Sequence, residues 1–218
     1  MKRKTGTVCM ILGAVLVGLA LSLFLYNQWD AKRAEKESHE VLLQLLAQLG
    51  ERLEDQQEQN SMEGNTDWNN GWEIWAGGMD TDREMKVQTV DGHEYIGYLS
   101  FPSLKRNLPV MSEWSYEGLK IAPGRYSGSV FKDNLVIAGH NYASHFSQIK
   151  WLEYGTEIDF TDMDGVTWKY EVVEIEELKP EQTGKMTEKT EGDDWDLTLF
   201  TCTTGGQSRC AVRCVRVK

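Results

Sequence analysis

The chain opens on three basic residues, Lys2, Arg3 and Lys4, and then runs without a charge from Thr5 to Tyr26. About twenty apolar residues in a row suffice for a helix that crosses the hydrocarbon core of a bilayer. The apolar core of a cleavable signal peptide is shorter, about 7–15 residues, and ends in a small-residue cleavage site. This run is longer and ends in LFLYNQWD, so it predicts a retained signal-anchor. The basic cluster ahead of it predicts a cytoplasmic tail over 1–4, a single membrane pass over 5–26 and an extracellular remainder.

After Asn27 the apolar positions recur at the helical period. Leu42, Leu45, Leu46, Leu49 and Leu53 form a stripe that Val41 and Leu43 widen, which predicts an amphipathic helix or stalk within 27–60. A stalk, a docking helix and a dimerising segment all fit the stripe. His39 lies in its charged part, where a histidine is solvated. SMEGNTDWNNGW is polar and rich in Asn and Gly, and reads as the start of a linker over 61–90.

From about Glu94 the pattern changes again, to short apolar runs separated by turns. YIGYLSF, LPVM and NLVIAGH come first, then EIDFTD and VTWKYEVVEIEEL about an MDG turn, then WDLTLFTC and RCAVRCVRV. The alternation in TWKYEVVEIE and the supply of β-branched and aromatic residues predict strands. ASHFSQIKWLEYG predicts one short helix that stops at Gly155. The fold class expected for 91–218 is a mostly-β barrel or sandwich. DMDG, at Asp162 to Gly165, begins like a calcium loop but lacks the later ligands, and fits a hairpin turn better. The stretch EELKPEQTGKMTEKTEGDDWD is a long polar loop, of the kind that often forms a lid or wall. Its acidic cluster of Glu191, Asp193 and Asp194 reads as a solvated face.

A net charge of -11 argues against a nucleic-acid partner, because phosphate binding concentrates Lys and Arg. The four cysteines, Cys9, Cys202, Cys210 and Cys214, are too few and too clustered for a disulfide scaffold. On one strand Cys210 and Cys214 stand about 13 Å apart, beyond disulfide reach. No CxxC spacing supports zinc, so neither a metal nor a cofactor is expected.

Cys202 ends an apolar strand, where a side chain becomes reachable. A cysteine nucleophile needs its thiolate and a proton-transfer partner, which histidine supplies best. His140 ends NLVIAGH, a second strand tip, and is the expected partner. His145 reads as the exposed start of a helix and His93 as a turn residue. Charge developing on a carbonyl oxygen needs a fixed donor, which an arginine provides. Alternation after the Gly205–Gly206 turn puts Arg209, Ala211 and Arg213 on one face and Cys210, Val212 and Cys214 on the other. Arg209 is nearer the turn and is the expected donor, with Arg213 in reserve.

LVIAGHNY with His140, and LTLFTC with Cys202 followed by the strand bearing Arg209, resemble the sortase family of Gram-positive surface transpeptidases. IGYLSFPSLKRNLPV and FSQIKWLEYGTEIDF resemble the family's flanking segments in the same order, so the resemblance covers roughly Tyr95 to Lys218. It implies a sortase-type closed β-barrel with short helices, preceded by the transmembrane helix and the amphipathic helix. It also implies catalytic His140, Cys202 and Arg209, with Thr201 as a substrate contact. The implied partners are surface proteins with a C-terminal LPXTG-like sorting signal, an amine acceptor on a peptidoglycan precursor, and the membrane. Pilin-polymerising sortases often carry an Asp-Pro-aromatic lid and a second membrane segment. Neither is present before Tyr95 or after the last strand, so a wall-anchoring enzyme is expected. Two rivals stay open: an extracellular cysteine peptidase that releases its acyl group to water, and a non-catalytic module with structural or metal-bound cysteines.

Overall fold

The computed structural model describes residues 2–62, 81–190, 192–203 and 205–217, with side chains of the first helix described over 6–55. The centre of the expected linker, 63–80, and Glu191 of the acidic loop lie outside the described residues.

Lys2–Met62 form one unbroken helix, α1. The expected membrane and amphipathic helices are therefore a single rod. No Gly or Pro occurs between Gly18 and Gly50 to interrupt it. Its first half carries exposed apolar side chains from Val8 to Trp29 and is long and apolar enough to cross a membrane. Its second half docks on the rest of the protein through Ala34, Ser38, Val41, Leu42, Leu45 and Leu49, all buried. The docked stripe thus begins two turns earlier than the leucines predict, at small residues that allow close approach. Leu43 stays exposed, and Leu46 and Leu53 lie at the edge of the contact.

The strands among the described residues are β1 (Gln88–Val90), β2 (His93–Phe101), β3 (Arg106–Met111), β4 (Gly124–Ser127) and β5 (Leu135–Gly139). They continue as β6 (Glu157–Asp162), β7 (Thr167–Leu178), β8 (Leu197–Cys202) and β9 (Arg209–Arg216). The order β2-β3-β4-β5-β8-β9-β7-β6 returns to β2 and closes the barrel, with β1 added outside β2. Two neighbours are parallel, β3 with β4 and β5 with β8. The β1–β2 turn is Asp91–Gly92, both at positive φ as a tight two-residue hairpin requires. The ordered domain therefore starts before residue 91; Met85 is already part of the barrel core. At Gly97 β2 passes between β3 and β6 so closely that a Cβ would stand 2.1 Å from the Thr161 carbonyl oxygen.

Alternate residues fill the barrel: Leu99, Leu135, Ile137, Phe160, Tyr170, Leu197, Leu199, Val212, Cys210 and Cys214. A second cluster seats Val41 and Leu45 of α1 on Val90, Tyr95, Met111, Ala122 and Met163. Arg52 fixes the far end of this contact by donating to the Met163 carbonyl at 2.9 Å. A third cluster covers the outer face of β5, β8 and β9 with Leu178, Met186 and Trp195. Met186 comes from α2 (Thr183–Thr187), so the long polar loop is a partly folded cover. The DMDG segment is the β6–β7 hairpin turn: Asp162 accepts from the amides of Asp164 and Val166 and from the Trp168 indole.

Candidate active site

Pairing and register bring the three expected residues together. Gly139 of β5 lies opposite Thr201 of the parallel β8, so His140 and Cys202 leave their strands side by side. On the other flank Cys202 pairs directly with Arg209 of the antiparallel β9. The next row with the same alternation is Ala138, Phe200 and Ala211, which belong to the outer cluster. His140, Cys202 and Arg209 therefore form the last row of the outer face, just beyond the cover that α2 and Trp195 supply. Cys202 is exposed there, while His140 and Arg209 are half-buried.

Arg209 is held by its own turn. Its guanidinium donates to the carbonyls of Gly206 and Ser208 at 3.2 and 3.1 Å. Arg213 sits on the same face but pairs with Thr198, four positions deeper, where it is buried and bridges Glu176 at 2.6 Å and Glu174 at 3.3 Å. It is structural, so the reserve arginine is set aside. Thr201 belongs to the interior-facing alternation. It is buried, and its hydroxyl has no hydrogen-bond partner among the described residues. Beside Cys202, Phe200 carries an aromatic surface: Tyr126 meets it edge-on at 5.3 Å, and Trp114 stacks on Tyr126 at 5.2 Å.

The other two cysteines of the barrel differ in kind. Cys210 and Cys214 point into the core, away from Cys202, and cannot share a ligand with it. Burial pushes the Cys210 thiol up to about 11, and burial raises Cys214 further still.

His140 owes its place to the residue before it. A Cβ on Gly139 would lie 2.3 Å from the Phe146 ring, so only glycine lets the strand end pack on that phenylalanine. The segment after His140 is a set of turns with one helical turn at Ile149–Trp151, in place of the expected helix. The amides of His145 and Phe146 bond back to the carbonyls of Tyr142 and His140 at 3.0 and 3.1 Å, which folds Phe146 and Ile149 into the barrel end. His145 goes in with them. It is buried, contrary to the exposed position expected of it, and burial lowers its pKa to about 4. His93 is exposed at the start of β2.

Burial also holds His140 below the ordinary histidine value; the Asp30 carboxylate draws it back up and Lys120 opposes that. Tyr142 stacks on the His140 ring with centroids 3.8 Å apart and donates its hydroxyl to Asp30 of α1. Asp30 and Tyr142 escape a sequence reading, because 112 residues separate them. Only their neighbourhoods hint at a role: Tyr142 follows the histidine by two residues, and Asp30 is the first charged residue after the apolar run.

The family model described as the sortase domain matches residues 99–217. No curated protein sequence matches the chain. Sortase C-1 from Actinomyces oris is similar at 25% identity and TM-score 0.50, over 69% of this chain and 85% of that one. Sortase C from Streptococcus pneumoniae is similar at 23% identity and TM-score 0.51, over 74% and 95%. Sortase C1 from Streptococcus suis is similar at 26% identity and TM-score 0.49, over 58% and 74%.

Proposed function

The chain belongs to the sortase family, and from that premise we propose that it is a membrane-anchored transpeptidase in which Cys202 cleaves an LPXTG-like sorting signal. The family makes it a cysteine transpeptidase in general terms; the residue roles, the substrate and the topology are our reading. The observation that carries it is the single row of His140, Cys202 and Arg209 across three neighbouring strand ends. Thiol, imidazole and guanidinium share one face, and the thiol is the exposed member.

In this reading Cys202 Sγ attacks a peptide carbonyl of the signal while His140 takes the thiol proton. His140, now imidazolium, gives that proton to the departing amine as the C–N bond breaks, which leaves a thioacyl-enzyme. An acceptor amine then attacks the thioester carbonyl and loses its proton through His140, and the thiol re-forms. Arg209 holds the oxyanion in both halves; loss of such a donor costs roughly a hundredfold to a thousandfold in kcat. In this reading the Thr201 main chain, next to Cys202, is the substrate contact, its hydroxyl being turned into the barrel, and the Phe200, Tyr126 and Trp114 surface receives the apolar part of the signal. The basic residues before the membrane span put the barrel outside the cell.

The acceptor we assign is an amine of a peptidoglycan precursor. Prolines occur only at Pro102, Pro109, Pro123 and Pro180, so the sequence before the barrel carries no Asp-Pro-aromatic tripeptide. Sortase C of Streptococcus pneumoniae, whose substrate is a pilin, shares this fold, and the second reading is a pilin-polymerising sortase in which the acceptor is a lysine of another pilin subunit. Incubation with an LPXTG-like peptide library, with and without amines, tests the proposal. Transpeptidation predicts amide products that appear only with amine and that require Cys202. Release to water at a rate unmoved by amine would replace the transpeptidase by a peptidase.

A further inference from the structure

A histidine that moves protons is ordinarily oriented by a hydrogen bond on its second ring nitrogen, usually to a carboxylate. His140 Nδ1 has no hydrogen-bond partner among the described residues. What holds the ring is a stack. The Tyr142 ring lies nearly parallel to it, 18° off plane at 3.8 Å. The far edge of Tyr142 is in turn tied to α1, where its hydroxyl donates to Asp30. Asp30 is fixed from the other side by Arg33 at 2.8 Å, and Arg33 lies over the Trp29 ring. One residue further along the helix the Ala31 carbonyl accepts from the Ser144 hydroxyl at 3.3 Å. A carboxylate does serve this histidine, then, but through an intervening phenol and from the membrane-proximal turn of α1.

We propose that Tyr142 and Asp30 are positioning residues for His140, so that the acid–base group is correctly set only while the turn of α1 next to the membrane span is docked on the barrel. The proposal rests on the reading of His140 as the proton-transfer residue. Tyr142 fixes the plane of the imidazole, and Asp30 fixes Tyr142. Cys202 remains exposed with α1 docked, so the docked helix leaves the nucleophile open. The Asp30 carboxylate adds an electrostatic contribution that favours imidazolium, against burial and Lys120. The charged and titratable groups around the ring are Asp30 and Arg33 from α1, Lys120 from the turn Gly118–Lys120, and His145 from the same loop.

The test uses the full chain in detergent micelles, an LPXTG-type peptide and a histidine NMR titration, which the four histidines keep tractable. Tyr142→Phe and Asp30→Ala should each lower kcat about tenfold to a hundredfold with KM unchanged, as a misplaced catalytic group does. The double variant should be no worse than either single one, because both break one linkage. Asp30→Asn keeps an acceptor for the phenol and should rescue most of kcat. It should also move the acid limb of the kcat/KM profile, and the His140 titration, to lower pH, because the charge that favours imidazolium is gone. Additive losses, losses in KM, or a His140 titration identical to wild type in Asp30→Asn would overturn the proposal. Cys202→Ala and His140→Ala separate the two levels. If both keep turnover, the catalytic reading fails, and the His140 titration alone decides whether the clamp exists. If both are inactive while Tyr142→Phe and Asp30→Ala match wild type, the clamp alone is wrong.

Discussion

Cys202, Cys210 and Cys214 show how one residue type takes two settings within thirteen positions. Cys202 ends β8 on the outer face and is exposed; the other two alternate onto the inner face and are buried. A neutral alkylating reagent should modify Cys202 and spare Cys210 and Cys214, as peptide mapping would show. Cys202→Ala should abolish turnover, whereas Cys210→Ala and Cys214→Ala should keep most of it. Equal loss in all three would count against a single nucleophile. His145 carries a separate prediction. Its pKa is lowered from 6.5 to about 4, so the unfolded chain binds its proton first as the pH falls. Stability from this group is complete above pH 6.5 and drains away toward pH 4, by on the order of 3 kcal/mol at most. Denaturant midpoints measured from pH 7 to pH 4 should fall less steeply in His145→Gln than in wild type. At this scale the sequence is informative where alternation governs. The faces of Arg209 and the cysteines follow from strand parity, while the burial of His145 depends on a loop that no period describes.

Among the elements, the long strands are legible because their apolar runs are bounded by turns: β2, β3 and β5 to β9 all lie where the pattern puts them. β1 and β4 are missed, being three and four residues long and held mainly by their neighbours. The helix expected after His140 is overridden by packing. Phe146 and Ile149 are drawn into the barrel end, and Gly139 leaves room for Phe146. The stripe on α1 is legible as amphipathic, yet its partner is not, since a stripe carries no address. The structure supplies one in Val90, Tyr95, Met111, Ala122 and Met163. Leu45 is 1% exposed at the centre of that contact. Leu45→Ala should cost about 2–5 kcal/mol in the docking of α1, as buried Leu-to-Ala changes do. Limited proteolysis of the 27–62 segment should then accelerate, with the barrel's own unfolding midpoint nearly unmoved. An unchanged cleavage rate would mean that α1 is not held by this face.

For the molecule as a whole, the barrel gathers three strand ends into one row, and α2 with Trp195 covers the rest of that face. The candidates His140, Cys202 and Arg209 were legible as strand-end residues of suitable chemistry, but their adjacency was not, because strand order cannot be read from local pattern. The parallel pairing of β5 with β8 is what makes neighbours of His140 and Cys202. The continuity of α1 adds a link between bilayer and cleft, since the rod that can cross the membrane also touches the histidine loop through Asp30 and Ala31. The most direct measurement is the intact mass of the full chain after exposure to an LPXTG-like peptide library without amine, followed by peptide mapping. An acyl adduct confined to Cys202, absent in Cys202→Ala and discharged as an amide when amine is added, is the predicted result. An adduct on another residue, or an equal yield of adduct in Cys202→Ala, would contradict the account.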